Sequence, residues 1–396
     1  MNRLLQNAAL MAAFFVWSCS PTKEEAIDTS DARNWEFELV DSLQFNYLGA
    51  PIFADAEFEK VLFFDSQNQE FIILDEKGNL VSQFAKTGDA PDTFGFNLLL
   101  PSFLSENEIM MPGTLGIFIF DLEGNFKKKI TYPEPQSGGV FVNTPGKSLD
   151  HFYYQNKNLI VGPSFRTNNL SFGDKEFYLL YKGLEIQDPE TGEARAYAPF
   201  REGSRFLDGL GYINSDFDPV FAINGQEAFI AFAGEPILHH YSWESDSLTW
   251  KKSTPLELPD FGNITGKPLE QLKGIQASTN LITAAIKKVV TWNDLVLIQF
   301  WPGFSTEESE SISELYQSGK EDEAKLRMEN FYKNRKMGIA VVDPKNSQQL
   351  RSISFPDKVD TRGFVKNGDD FWFVKKFNPD QEEDFIRLYR YQLVEK

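Results

Sequence analysis

Two ten-residue segments of this chain align without a gap at a spacing of 46 residues. They are Phe71-Ile72-Ile73-Leu74-Asp75-Glu76-Lys77-Gly78-Asn79-Leu80 and Ile117-Phe118-Ile119-Phe120-Asp121-Leu122-Glu123-Gly124-Asn125-Phe126. Each reads as a strand, a tight Asp-x-x-Gly-Asn turn and a second strand. The Gly supplies the positive φ of such a turn, and the Asp side chain accepts hydrogen bonds from the backbone that follows. A repeat in the forties with strand-turn-strand content is the mark of a propeller blade, and it limits the chain to architectures that stack such units. Composition agrees: 14% aromatic content with 37 Phe is a supply of bulky, strand-favouring core residues that no disordered acidic chain carries.

Further strand groups extend the count. Pro51 to Ala54 and Val61 to Phe84 make a first blade, and Leu99 to Thr131 a second. The third runs through Phe152, Leu159 to Val161, Phe177 to Tyr181 and Ala194 to Ala198; the fourth covers Val220 to Ser253. The fifth opens with Leu281 to Phe300 and resumes at Gly338 to Phe355. The sixth has three strands between Gly363 and Leu393, and Trp35 to Val40 is placed to supply its missing outer strand. That pairing of the two chain ends closes the ring and removes exposed sheet edges. The expected fold is therefore all-β, a six-bladed β-propeller over residues 34–396.

The chain resembles the six-bladed β-propeller lipoproteins related in repeat style to NHL and TolB-like propellers, an exported bacterial group. The resemblance rests on the turns at Asp75 and Asp121 and on Thr87-Gly88-Asp89-Ala90-Pro91-Asp92-Thr93-Phe94-Gly95, which looks like the Gly-x-x-Pro-x-x-Phe-Gly connector after an NHL outer strand. It implies a fold and little chemistry, because propellers host many functions.

The amino terminus reads as an export signal over residues 1–18, with Arg3 as its positive region and an apolar run from Leu4 to Val16. Val16-Trp17-Ser18-Cys19 resembles a bacterial lipobox, which makes Cys19 the expected lipidation site; it is the single cysteine of the chain, so it has no internal disulfide partner. Residues 19–33 are polar and unpatterned, a flexible tether. Lys23-Glu24-Glu25 resembles a signal that routes lipoproteins to the outer face of the outer membrane, so the expected location is lipid-anchored at that membrane and at the cell surface. A formal net charge of −19 excludes nucleic acid as a partner, since phosphate binding needs a basic surface.

The blade plan sorts the connections by face. Links through Glu76-Lys77-Gly78, Asn156-Lys157, Asn224-Gly225 and Pro344-Lys345-Asn346 are short. Residues 87–98, 133–149, 163–175, 201–218, 258–279 and 301–337 all fall on the other face and are long, which is where ordered loops carry function. The last holds an α-hairpin over about 305–336, with a capping box at Ser305 to Glu308, a stop at Gly319 and an apolar stripe through Ala324, Met328, Phe331 and Tyr332.

On this face Arg166, Arg201 and Arg205 offer guanidinium groups, and Trp301 and Phe304 offer aromatic faces. Such groups grip carboxylates and stack on sugars, so these five are the expected ligand-binding residues. The expected partner is a protein or a glycan. No metal or cofactor is expected: His239 and His240 sit on opposite faces of a strand, and His-Glu-x-x-His, Walker and Gly-x-Ser-x-Gly motifs are missing from the sequence. Asp216-Phe217-Asp218 is a weak Ca²⁺ pattern. Recognition or scaffolding is the expected function, with no catalytic residue assigned. The alternative is a polysaccharide-cleaving hydrolase or lyase using loop carboxylates with Arg, and paired carboxylates of raised pKa near the channel would favour it.

Overall fold

The computed structural model describes residues 34–87, 90–134, 146, 148–278, 280, 282–378 and 384–396. Residues Trp35–Val394 fold as one unit of six four-stranded antiparallel sheets, a six-bladed β-propeller. The first strand, β1 (Trp35–Asn46), belongs to the last blade. Blade one is β2 (Ile52–Glu57), β3 (Lys60–Asp65), β4 (Glu70–Asp75) and β5 (Leu80–Ala85); blade two is β6 (Ser102–Ser105), β7 (Glu108–Gly113), β8 (Gly116–Asp121) and β9 (Phe126–Ile130). Blade three is β10 (Asp150–Tyr154), β11 (Lys157–Pro163), β12 (Lys182–Gln187) and β13 (Ala194–Pro199); blade four is β14 (Pro219–Asn224), β15 (Glu227–Phe232), β16 (Ile237–Glu244) and β17 (Ser247–Pro255). Blade five is β18 (Ala285–Trp292), β19 (Leu295–Trp301), β20 (Gly338–Asp343) and β21 (Gln348–Ile353). Blade six is β22 (Val365–Asn367), β23 (Asp370–Val374), β24 (Phe385–Glu395) and, outermost, β1. The ring closes as expected, through the two ends of the chain.

The repeated turns form by the same bonds. Asn79 donates to the Asp75 carboxylate from both backbone and side chain, at 2.8 Å each, and Asn125 does so to Asp121 at 2.7 and 3.1 Å. Gly78 and Gly124 hold φ of 85° and 83°, which a side chain at either position would oppose. Of the connector motif, Gly88 and Asp89 lie outside the described residues. Phe94 is buried between Phe64 and Phe71, ring centroids 6.2 and 6.1 Å away.

Each gap between neighbouring blades holds one apolar cluster. Phe64, Phe71, Phe103, Phe118 and Phe120 fill the gap between blades one and two. Burial of one such side chain contributes about 1.5–3 kcal/mol, so the phenylalanine content is what binds blade to blade. β1 serves two gaps: Trp35 and Phe37 pack with blade five and the rest of blade six, Leu43 and Phe45 with blade one.

One expected strand is instead a helix. Phe177 to Tyr181 falls on α1 (Lys175–Leu180) and its cap, and the third strand of blade three is β12, immediately after. The aromatic run favours strand locally, but Phe177, Tyr178 and Tyr181 are claimed by an aromatic cluster with Phe172, Phe200, Phe206 and Phe217. The segment around α2 (Asn214–Phe217) joins this cluster, so the long loops of blades three and four carry an aromatic core of their own. In blade five α3 (Thr306–Gln317) and α4 (Glu321–Asn334) form the expected hairpin, with the Ser305 and Glu308 capping box at 2.7 and 3.2 Å. Among the described residues no helix is long and apolar enough to cross a membrane.

Candidate functional site

The five residues expected to bind ligand go to separate places. Arg166 donates from Nε to Glu185 at 2.5 Å and from its guanidinium to the Ala194 carbonyl at 3.2 Å. Arg201 lies over the Trp250 ring, 4.3 Å from its centroid. Arg205 donates from its backbone to Glu235 at 3.0 Å, and its Nη1 is buried without a hydrogen-bond partner among the described residues. Trp301 and Phe304 meet each other at 5.9 Å but are only 3% and 6% exposed, covered by Tyr332 and Phe331 of α4. These two therefore seat the hairpin. Cys19 and the tether lie outside the described residues.

The remaining motifs are also absorbed locally. The Asp216 carboxylate accepts from the Ile213 backbone at 3.0 Å, and the backbone carbonyls of Asp216 and Asp218 accept from Gly234 and Ala233 at 2.6 and 2.9 Å, so these three oxygens of the Ca²⁺ pattern are engaged within the fold. His239 is buried against Ser253 Oγ at 2.8 Å, while His240 pairs with Glu227 and stacks on Phe229. Among the described residues no group of three His, Cys, Asp or Glu is arranged to hold a metal ion.

What the fold does bring together is a set of titratable side chains on the innermost strands, around the bore of the ring. A cavity of about 320 Å³ is lined by Asp55 and Glu57 of β2, Asp150 and His151 of β10, Lys288 of β18 and Lys366 of β22. Two β-bulges help. In β2, Phe53 pairs with Phe63 and Asp55 with Leu62, leaving Ala54 as the extra residue; in β18, Ile286 pairs with Phe300 and Lys288 with Gln299, leaving Lys287. Bulges of this kind re-aim side chains beside functional sites. Here one turns a carboxylate, and the other a lysine, toward the bore.

The bonds within the cluster are specific. Asp55 accepts from the backbone N–H of Ala56 at 2.8 Å and of Phe103 at 2.9 Å. His151 Nε2 stands 3.8 Å from Glu57, with its ring stacked on Phe58. Lys288 Nζ donates to the carbonyl of Gly146 at 3.0 Å and to that of Phe364. Gly146 in turn donates to Phe53 at 3.2 Å. It thus sits beside blades five, six and one although it precedes blade three, across the ring. Its φ of 67° and a space closed by Phe364 and Val365 reserve the position for glycine.

Burial dominates the electrostatics. It raises Asp55 to about 6 against the pull of the Phe103 and Ala56 N–H groups. It raises Glu57 to about 8, with the charges of Asp55 and Asp150 adding to the effect. Asp150 is raised by the same cause, opposed by His151 and Lys288, although its side chain keeps contact with solvent in the bore. His151 is lowered, and Lys288 falls to about 8 despite the nearby carboxylates. At neutral pH the site therefore holds a protonated Glu57 next to a largely ionised Asp55, with a neutral imidazole alongside. It can donate and accept protons in one small space.

Sequence reasoning passed over Asp55, Glu57, Asp150 and Lys288. The available signal was charge on innermost strands, in Ala54-Asp55-Ala56-Glu57 and in Lys287-Lys288 between Ile286 and Val289.

No protein-family model and no curated protein sequence matches the chain. Its fold is similar to that of a member of the DUF4221 family from Bacteroides vulgatus, with a TM-score of 0.59, 12% identity, and coverage of 91% of this chain and 99% of that one. It is also similar to a Bacteroides fragilis protein described as exported, with a TM-score of 0.53, 11% identity, and coverage of 91% and 95%. At such identities the likeness is one of fold.

Proposed function

We propose that this protein is an exported, lipid-anchored recognition propeller that takes a small polar ligand into its central channel. One observation carries the reading: Asp55, Glu57, Asp150, His151 and Lys288 come from three different blades to line a single cavity. The desolvation that shifts their titration is unfavourable to the fold, so a ligand that satisfies these groups gains what they lose on burial. The cavity, at about 320 Å³, lies at the small end of the ~300–1,000 Å³ range of small-molecule sites.

A protein or glycan docked on the long-loop face through Arg166, Arg201, Arg205, Trp301 and Phe304 is supported less well. Arg166 is paired internally, and the two aromatic side chains are covered. Arg201 and Arg205 keep that face as a place for a secondary contact. Anchoring rests on the lipobox-like run before Cys19, and the outer membrane on Lys23-Glu24-Glu25.

A second reading, a hydrolase or lyase, is favoured by one feature. Glu57 holds its proton at neutral pH beside Asp55, which does not, and that is the division of labour of acid and base catalysis. A thermal-shift screen of polar metabolites and oligosaccharides tests both readings. The full chain should be stabilised by a ligand that leaves Glu57→Gln/Asp150→Asn unaffected, and equal stabilisation of the two proteins would refute the channel site. Turnover of the ligand by the wild type alone would establish the enzyme.

A further inference from the structure

We infer that the channel ligand is a zwitterion, an amino acid or a short peptide, with its ammonium among Asp55, Glu57 and Asp150 and its carboxylate toward Lys288 and Lys366. This deepens the channel reading above and rests on it.

The argument begins with how charge is distributed around the bore. The carboxylates stand on the inner strands of blades one and three, the lysines on those of blades five and six. Blade six is across a six-membered ring from blade three. Blade four, between blades three and five, contributes an apolar wall from Val220 to Ile223, while blades one and six are direct neighbours in the ring. A chain with net charge −19 has thus placed three lysines, counting Lys287, along its own channel, beside three carboxyl groups of which Glu57 keeps its proton at neutral pH.

Opposite charges sharing a cavity would ordinarily collapse into ion pairs. Among the described ion pairs, none joins Lys288 or Lys366 to Asp55, Glu57 or Asp150. Backbone carbonyls hold the two ammonium groups instead: Lys288 donates to Gly146 and Phe364, and Lys366 to Gly368. The carboxylates are tied on their own side, Asp55 by backbone N–H groups and Glu57 near His151. Both charge sets are therefore held by other partners, without a direct ion pair between them. Gln299 adds to this: it is 1% exposed, spends its amide N–H on the Thr361 carbonyl at 2.8 Å, and leaves Oε1 without a partner among the described residues in the cavity wall.

A neutral glycan would bury both sets of charge without a counter-charge, which is costly in a confined site. An anion would meet the carboxylates and a cation the lysines. A ligand carrying one charge of each sign at its two ends meets neither obstacle. The cavity volume limits it to a few residues, which fits a product or substrate of peptide hydrolysis and excludes a folded partner.

The experiment is titration calorimetry on the full chain with L-alanyl-L-alanine, its N-acetyl form, its C-terminal amide and maltotriose. The free dipeptide should bind about tenfold or more tightly than either capped form, since each cap removes a charge-assisted hydrogen bond. Asp150→Asn should erase the advantage over the N-acetyl form, and Lys366→Met the advantage over the amide. Lys366→Arg, which keeps the charge, should retain it and guards against a variant that is merely unfolded. Capped forms that bind as well, or a dipeptide that does not bind at millimolar concentration, overturn the inference. Maltotriose binding abolished by Asp150→Asn would sink the zwitterion while keeping the channel site. Any probe whose binding ignores both Asp150→Asn and Lys366→Met would sink the channel site as well.

Discussion

Replacing Glu57 by Gln should stabilise this protein in alkaline buffer and leave it nearly unchanged in acid. In the folded chain the Glu57 carboxyl is raised from 4.5 to about 8, by burial first and then by the charges of Asp55 and Asp150. Between those two values the folded state holds a proton that the unfolded chain has released, so stability falls as pH rises from about 4.5 and the loss is complete above about 8. In a dry site the shift would correspond to about 5 kcal/mol. The side chain is 35% exposed, and solvent screening reduces the expected effect to about 1–2 kcal/mol. Glutamine keeps the shape and cannot ionise, so it escapes that loss. Unfolding entropy of about 2 cal/mol/K per residue over the propeller gives about 0.75 kcal/mol/K, hence a gain of about 2 °C in Tm for the variant. The assay is a pair of thermal melts, at about pH 5 and about pH 9, comparing variant with wild type. A variant that is no more stable than wild type at the higher pH, or equally offset at both, would refute burial as the cause of the shift.

Two further expectations concern the ends of the chain. Cys19→Ser should release the protein from the membrane fraction into the soluble one, and an unlipidated mature chain beginning elsewhere by intact-mass analysis would remove the basis for anchoring. Deleting residues 34–41 discards Trp35 and Phe37, each worth about 3–5 kcal/mol as a buried aromatic, whereas deleting residues 20–30 removes polar tether; equal melting temperatures for the two truncations would contradict the seam.

The propeller was legible because its determinants are local and repeated. Asp75 with Gly78 and Asp121 with Gly124 specify turns within five residues, and period-two apolar runs on either side specify strands. Local signal also explains the failure at Phe177 to Tyr181, where strand-favouring side chains are held in a helical turn by partners such as Phe206 and Phe217, about 30–40 residues away. The channel site was hidden for a different reason. A period-two reading puts Asp55 on the same side as Phe53, and the bulge at Ala54 places it on the other. Asp150 and Lys288 are 138 positions apart in sequence and share a cavity only because the ring is closed. Trp301 and Phe304 looked like ligand platforms because sequence alone does not show that the next helix pair folds back over them.

The join between β1 and β24 also governs the order in which the molecule can assemble. Arg387 donates to Gln44 across it at 2.6 Å, 343 positions distant in sequence. Blades one to five are meanders whose strands find their partners within a few dozen residues, so each can form as soon as its own segment exists. β1 is made first and can pair only when β24, the last strand, has been made. Until then two sheet edges stay open on a chain rich in Phe, the kind of surface that invites pairing with another copy. Contacts of such sequence separation slow folding, so the rate at which this ring closes, more than the stability of any blade, should decide how much of the protein reaches its native state.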